Sequence, residues 1–336
     1  MSAPATGGTP AVTSPPASLP VTPPASPSVL PPVARGPLAR ALRRAASWVR
    51  ALDARLVAPG PAWRARWVHA GVAAVVGLRL LTRDWTQLAD RPPALRSHLN
   101  LVGWVPDLPV AVLVALQAVG VVAAVLAIGR VRPRLAFAVA WAVYVVLAGL
   151  WGSSGKFMHN DVLTVTVATV LLCSSPPARD VRADDRSVRW GWPPRAALAV
   201  VGVVYLLTGV QKLRHSGPGW ALGDNMAWVL RQGTSPLGEG FTLAVANLPA
   251  LPQLLATGAL CLELLAPLLL LVAWTRIPFA VAVAVMHTSI WACLGLDYSA
   301  WVLTAAAVAV PAGLPWRPPW SRRRTSTRRQ VRAATA

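Results

Sequence analysis

The sequence predicts an all-α, polytopic integral membrane protein with about eight transmembrane helices and both termini cytoplasmic. Three observations predict it. Of the 336 residues 55% are hydrophobic, yet the formal net charge is +20; that combination suits membrane spans joined by basic loops, not a soluble core. Apolar runs near the length that a bilayer core requires recur along the chain. With the N-terminus inside and the sides alternating, 24 of the 32 basic residues fall on the cytoplasmic side, the asymmetry that orients membrane proteins. An odd number of spans would put one arginine-rich terminus outside.

Taken in order, residues 1–34 are rich in Pro, Ser, Thr and Ala and have neither a basic start nor an apolar h-region. They read as a disordered tail and not as a signal peptide. Residues 35–59 set apolar side chains at helical spacing with arginines opposite, the pattern of a basic amphipathic segment lying on a membrane surface. Residues 60–313 form the transmembrane domain, with apolar runs at about 67–82, 108–128, 134–152, 160–175, 195–213, 250–273, 277–295 and 298–313. The first and last are short for a span, and the third and fourth also read together as one re-entrant unit. Residues 314–336 are an arginine-rich cytoplasmic tail. Beside a bilayer its expected partner is anionic lipid headgroups, with no nucleic acid.

Several function classes find no support. Cys173, Cys261 and Cys293 all sit in apolar runs without CxxC spacing, so neither a disulfide framework nor a zinc site is expected. Gly-rich phosphate loops, HExxH and GxSxG are absent, as is an internal repeat.

The informative residues are the ionisable ones inside the apolar runs, which are costly there and mark sites by default. Only two of the 32 basic residues are lysines, Lys156 and Lys212. Arginine keeps its proton in a protein, whereas a desolvated lysine can lose it. The topology puts Lys212 at the outer end of the fifth span, and Lys156, His159 and Asp161 at the outer start of the fourth. Glu263 falls near the middle of the sixth span and His287 near the middle of the seventh. Arg79 and Asp297 read as a structural anchor or pair, Lys156 as a snorkelling or loop residue, and Glu263 as a partner for His287. Lys212 is expected to turn inward, since a snorkelling cation could as well have been arginine in so arginine-rich a chain. The turn HSGPGW is expected to fold back over it carrying Trp220, and Lys212, His159 and His287 to converge on one cavity between the fourth, fifth and seventh spans.

These residues resemble a known pattern. VVYLLTGVQKL followed by GWALGDNMAWVL is similar to the signature of the horizontally transferred transmembrane (HTTM) domain, the membrane part of vitamin K-dependent gamma-carboxylases and of many bacterial membrane proteins. The matching positions are Tyr205, Gly209, Lys212, Leu213, Trp220, Gly223 and Met226, with His159, Glu263 and His287 in the expected order; the likeness covers roughly residues 60–313. It implies that Lys212 is the base that initiates oxygenation of a hydroquinone, with His159 and His287 orienting groups or relaying protons. Tyr205, Trp220, Glu263 and Asp161 would contact the substrate. It also implies a quinol, menaquinol or a vitamin K-type hydroquinone, in an outward-facing cavity. The chain departs from the carboxylases in carrying Gln211 where they have the first of two lysines. It also lacks their asparagine after His287 and the large extracytoplasmic domain they carry beyond the last span. Protein carboxylation of the vertebrate kind is therefore not expected. Bacterial members of this class, including the family of sporulation-delaying protein B, act in peptide toxin production.

Three function classes follow: an enzyme acting on a quinol or related lipid; a non-catalytic membrane protein for peptide-toxin processing, immunity or lipid and peptide recognition; and a small transporter, for which no inverted repeat is visible. The expected location is the plasma membrane of a high-GC bacterium.

Overall fold

A computed structural model describes residues 37–92, 104–153 and 159–314. The expected tail at 1–34, the arginine tail from 315 and Lys156 lie outside the described residues. Regular structure among the described residues is helical except for one short antiparallel pair, β1 (Gly60–Pro61) with β2 (Arg186–Ser187). The helices are α1 (Pro37–Leu56), α2 (Ala62–Thr82), α3 (Val110–Ile128), α4 (Pro133–Gly152), α5 (Val162–Leu172) and α6 (Val188–Ser216). After α6 come the short α7 (Gly219–Leu222), α8 (Asn225–Arg231) and α9 (Glu239–Asn247), and then α10 (Leu251–Leu271), α11 (Arg276–Leu294) and α12 (Ser299–Gly313). Viewed by itself, α1 is amphipathic: Leu42 and Val49 share one side, Arg43 and Arg50 flank it, and Arg44 lies opposite.

Five helical stretches are long and apolar enough to cross a membrane: α3, α4, α6, α10 and Ala273–Leu294, which contains α11. The remaining three expected spans behave differently. Helix α2 is 21 residues long but carries Arg64, Arg66 and Arg79. Helices α5 and α12 have 11 and 15 residues, about 16 and 22 Å at 1.5 Å per residue, against a hydrocarbon core of about 30 Å. The sequence shows why they are short. Asp161 and the Pro176–Pro177 pair bound α5, and Asp297 precedes α12. Both short helices lie inside the bundle, where Leu163, Val167, Leu171, Ala305, Val308 and Ala309 join the central core.

A short helix can sit that deep only if the polar chain at its end is satisfied. Arg79, near the end of α2, does this for both. Its Nε is 3.2 Å from Asp161 Oδ1 and its Nη1 is 2.7 Å from Asp297 Oδ2. Nη1 also donates to Ser299 Oγ at 3.2 Å. Arg83 Nη1 lies 2.6 Å from Asp161 Oδ2, and the Tyr144 hydroxyl donates to Asp161 Oδ1 at 2.7 Å. Asn160 Nδ2 donates to the Asp297 carbonyl at 2.8 Å. The expected Arg79–Asp297 pairing is thus one part of a larger network.

The second organising contact is the seam between α6 and α10. Gly202 and Gly209 lie seven residues apart and face α10. A methyl at Gly202 would meet Pro267 Cα at 3.2 Å, and one at Gly209 would meet Leu264 Cδ2 at 3.0 Å and Glu263 Cβ at 3.1 Å. Small residues are what let apolar helices approach this closely.

Gly209→Leu is expected to force this seam apart and to lower stability by about 1–3 kcal/mol, read as a lower thermal unfolding midpoint in detergent. The loop residue Asp297 gives a pH dependence. Partial burial works against its charge, but hydrogen bonds from Ser299 and the Arg79 guanidinium outweigh this and hold its carboxyl below the ordinary value of 3.8. A depressed carboxyl contributes stability that is full above the ordinary value and is lost as acid takes the pH down through the folded one. Wild type should therefore lose thermal stability below about pH 4 more steeply than Asp297→Asn in the same buffer series.

Candidate functional site

The candidate site is a cavity of about 730 Å³ between α6, α10 and α11, closed at one side by α7 and α8 and at another by His159, Tyr298 and Trp301. That volume suits a small organic ligand or a lipid headgroup with part of its tail. Its wall is mostly apolar, with Leu254, Leu262, Leu265, Val285 and Ile290 among the lining residues.

Each polar group arrives there for a local reason. Lys212 follows Gly209 by three residues and precedes the end of α6, so the close approach of α6 to α10 brings it to Glu263. Lys212 Nζ lies 2.5 Å from Glu263 Oε1, and the two side chains are 26% and 7% exposed. Gly217 ends α6 in a left-handed conformation (φ +58°), which a residue with a Cβ adopts reluctantly. Its N–H donates to the Leu213 carbonyl at 2.8 Å. The chain then reverses into α7, and Lys212 Nζ sits 5.4 Å from the centroid of Trp220, within cation–π range. On α10, Pro267 has no N–H to offer the Glu263 carbonyl four residues earlier. The helix continues through this position, with one backbone hydrogen bond fewer at the level of the acid.

The opposite wall is built from aromatic and imidazole rings. His287 Nε2 is 3.1 Å from the Tyr205 hydroxyl, and its ring lies over Tyr298 at a centroid distance of 5.0 Å and 30°. The Tyr298 hydroxyl is 2.9 Å from His159 Nε2, and Trp301 Nε1 donates to the His159 carbonyl at 3.1 Å. Three buried polar atoms on lining residues make no well-formed hydrogen bond in the protein: Glu263 Oε2, which has only the Thr208 hydroxyl nearby, His287 Nδ1 and Trp220 Nε1. One accepts, one donates, and the imidazole nitrogen does either according to its tautomer. A ligand with both a hydroxyl donor and an oxygen acceptor matches that set.

The structure therefore brings Lys212, His159, His287, Glu263 and Trp220 to one cavity. Tyr205 stands behind His287 and reaches the cavity through it. Three expectations require correction. The cavity, expected between the fourth, fifth and seventh spans, lies between the fifth, sixth and seventh (α6, α10 and α11), and only His159, just before α5, reaches it from the fourth. Asp161, expected to contact substrate, is not on the cavity wall; Arg79, Arg83 and Tyr144 occupy its oxygens. Glu263, expected to partner His287, pairs instead with Lys212, which the glycine seam places nearer. Tyr298, Trp301 and Thr208 also line the cavity and were not singled out from the sequence. For Tyr298 a signal existed: the chain has 16 tryptophans but only three tyrosines. Each tyrosine hydrogen-bonds a polar side chain of these clusters, Tyr144 to Asp161, Tyr205 to His287 and Tyr298 to His159. Among the described residues no group of three or more His, Cys, Asp or Glu side chains is arranged to hold a metal ion. Compared with family models, curated proteins and solved structures, the chain matches none of them.

Chemically, the site couples a lysine–carboxylate pair that can share a proton with two imidazoles, each bonded to a phenol, in mostly apolar surroundings. Breaking such a pair on one side leaves an uncompensated charge on the other. Lys212→Met should cost roughly 3–5 kcal/mol of stability, whereas Lys212→Met combined with Glu263→Gln should recover most of it. A double-mutant cycle on thermal unfolding in detergent reads the difference.

Proposed function

We propose that this protein is a multi-pass bacterial plasma-membrane enzyme of the HTTM, gamma-carboxylase-like class. It binds a quinol-like lipid in an outward-facing cavity and uses Lys212 as its base. The observation that carries this reading is the meeting of the Lys212–Glu263 pair and His287 in one apolar cavity that also presents unpartnered hydrogen-bonding atoms. Eight spans with both termini cytoplasmic remain the topology of this reading. It is supported by the hydrogen bonds that tie the start of α2 to the end of α12 through Arg64 and Pro311, and the start of α11 to the end of α10 through Arg276 and Leu270. On this topology the Arg79 network and the cavity belong to the outer half, and the arginine-rich end faces the cytoplasm and its anionic headgroups.

In the proposed reaction the proton of Lys212 passes to Glu263 Oε1, leaving a neutral amine, the form that acts as a base. The amine takes the proton from a hydroquinone hydroxyl, and the resulting oxyanion is then open to oxygenation, with dioxygen as co-reactant. His287, oriented by Tyr205, lies where it can hydrogen-bond the second oxygen of the ring. His159 and Tyr298, at the margin of the cavity, offer a proton path away from it. Glu263 is thus the proton acceptor for the base, a role no soluble-enzyme motif announces.

A second reading has one observation in its favour. The segment between α6 and α10 exposes Leu222, Trp228, Leu237 and Phe241, a surface suited to recognising a peptide or lipid without catalysis.

The two readings separate on one substitution. Full-length protein in nanodiscs is supplied with reduced menaquinone, binding is followed by quenching of tryptophan fluorescence, and turnover by dioxygen consumption. Lys212→Arg keeps the positive charge and removes the base. Turnover should fall about 100-fold or more with binding largely kept. Equal dioxygen consumption in the two proteins, or binding without turnover in both, rejects the base assignment and favours recognition.

A further inference from the structure

The end of the bundle away from the cavity holds a second cluster that the proposed chemistry does not use. Three arginines from different parts of the chain meet there. Arg66, one turn into α2, donates through Nη2 to the carbonyl of Ala178 at 2.8 Å and to that of Val181. Arg179, between those two residues, reaches back to the carbonyl of Gly129 at the end of α3. The next residue is Arg130, so the loop after α5 ties Arg66 and Arg130 into one neighbourhood. Arg66 lies within electrostatic range of Arg130 and also of Asp180 and Asp185. Yet among the described residues no ion pair joins a carboxylate to Arg66 or Arg130.

Two further details bear on this cluster. Arg66 Nε and Arg130 Nη1 are buried and have no hydrogen-bond partner in the protein. Both side chains are half-buried, so these shielded N–H groups lose water without gaining a protein acceptor, and the two like charges lie near one another. The backbone is also held in the left-handed region at Arg130 (φ 57°) and again at Arg132 (φ 44°). Non-glycine residues persist there, at a cost of about 1–3 kcal/mol, where the surroundings demand it. An acceptor that serves two neighbouring guanidiniums is best anionic with several oxygens, which is the chemistry of a phosphate. Its source follows from the surroundings. Val125, Ile128, Val131 and Leu135, at the adjoining ends of α3 and α4, are all exposed, as is Trp67 beside Arg66. An apolar strip beside a phosphate-type site fits acyl chains.

We propose that Arg66 and Arg130, with Arg179, form a site for the phosphate of an anionic phospholipid whose acyl chains lie along α3 and α4. The site is separate from the cavity and does not depend on the reaction assigned to it. The lipid phosphate accepts from the guanidiniums of Arg66 and Arg130, beside the α3–α4 turn. In doing so it relieves the repulsion between the two guanidiniums and fixes α2 to the loop after α5.

The test uses the full chain in a neutral detergent, titrated with phosphatidylglycerol and followed by native mass spectrometry. The expected result is a first lipid that is retained preferentially over phosphatidylcholine. Arg66→Gln and Arg130→Gln should each weaken it roughly tenfold, while the exposed neighbour Arg132→Gln leaves it unchanged. Inorganic phosphate in excess should not displace it. Equal binding by wild type and both glutamine variants overturns the site, as does an equal loss in Arg132→Gln, which signals general charge attraction. Displacement by inorganic phosphate overturns the lipid assignment in favour of a soluble anion. Should a glutamine variant not fold, the wild-type thermal midpoint decides: it should rise with phosphatidylglycerol and not with phosphatidylcholine, and no difference between the two rejects the proposal.

Discussion

The buried guanidinium of Arg79 is the interaction on which the rest of the bundle depends. Placing a charge among apolar helices is expensive unless its partners are equally fixed, and Arg79 has two carboxylates from distant parts of the chain. Asp161 stands at the start of α5 and Asp297 just before α12. These two short helices can therefore begin inside the bundle, because the polar chain that opens each of them finds the same cation. The consequence reaches the cavity. Asp161 is two residues from His159, and Asp297 is adjacent to Tyr298, so the contact between His159 and Tyr298 that closes one margin of the site rests on a network with no group in the cavity.

The glycine seam between α6 and α10 is the complementary constraint. A lysine side chain is long enough to reach water from many positions, and at the end of a helix it ordinarily does so. Here the backbones come close enough at Gly209 that the nearest partner for Lys212 is a buried carboxylate on the next helix, with an indole covering it from α7. The same approach leaves space beyond the pair, between α10 and α11, and that space is the cavity. Packing without side chains at Gly202 and Gly209 thus makes both the ion pair and the room beside it.

The two kinds of cation divide the work of the fold by their chemistry. Arginines at one end satisfy the last carbonyls of helices: Arg64 binds the Pro311 carbonyl, and Arg276 binds those of Leu270 and Ala312. A forked, permanently charged group suits such carbonyls, which carry the negative end of the helix dipole. Arg79 uses the same fork to bridge two carboxylates. Lys212 is different in kind, a single nitrogen that can give up a proton, held against one carboxylate oxygen in an apolar wall.

What the sequence by itself determined is what composition and periodicity can carry. The helical class and the long apolar segments are legible because apolar runs of that length have few other stable forms. Lys212, His159, His287 and Glu263 stood out because ionisable side chains are costly in such runs. The tertiary structure alone decided the partners. Asp161 and His159 look alike in sequence, two polar residues before one apolar run, yet one faces Arg79 and the other the cavity. Glu263 is a heptad-like step from nothing that identifies Lys212 as its partner; only the absence of a Cβ at Gly209, felt across two helices, brings them together. The shortness of α5 and α12, too, depends on an arginine some 80 residues earlier than Asp161 and more than 200 earlier than Asp297. Apolar content fixes which segments leave water, but the pairing of buried polar groups depends on the angles and distances between helices, and those are set by contacts that no local pattern records.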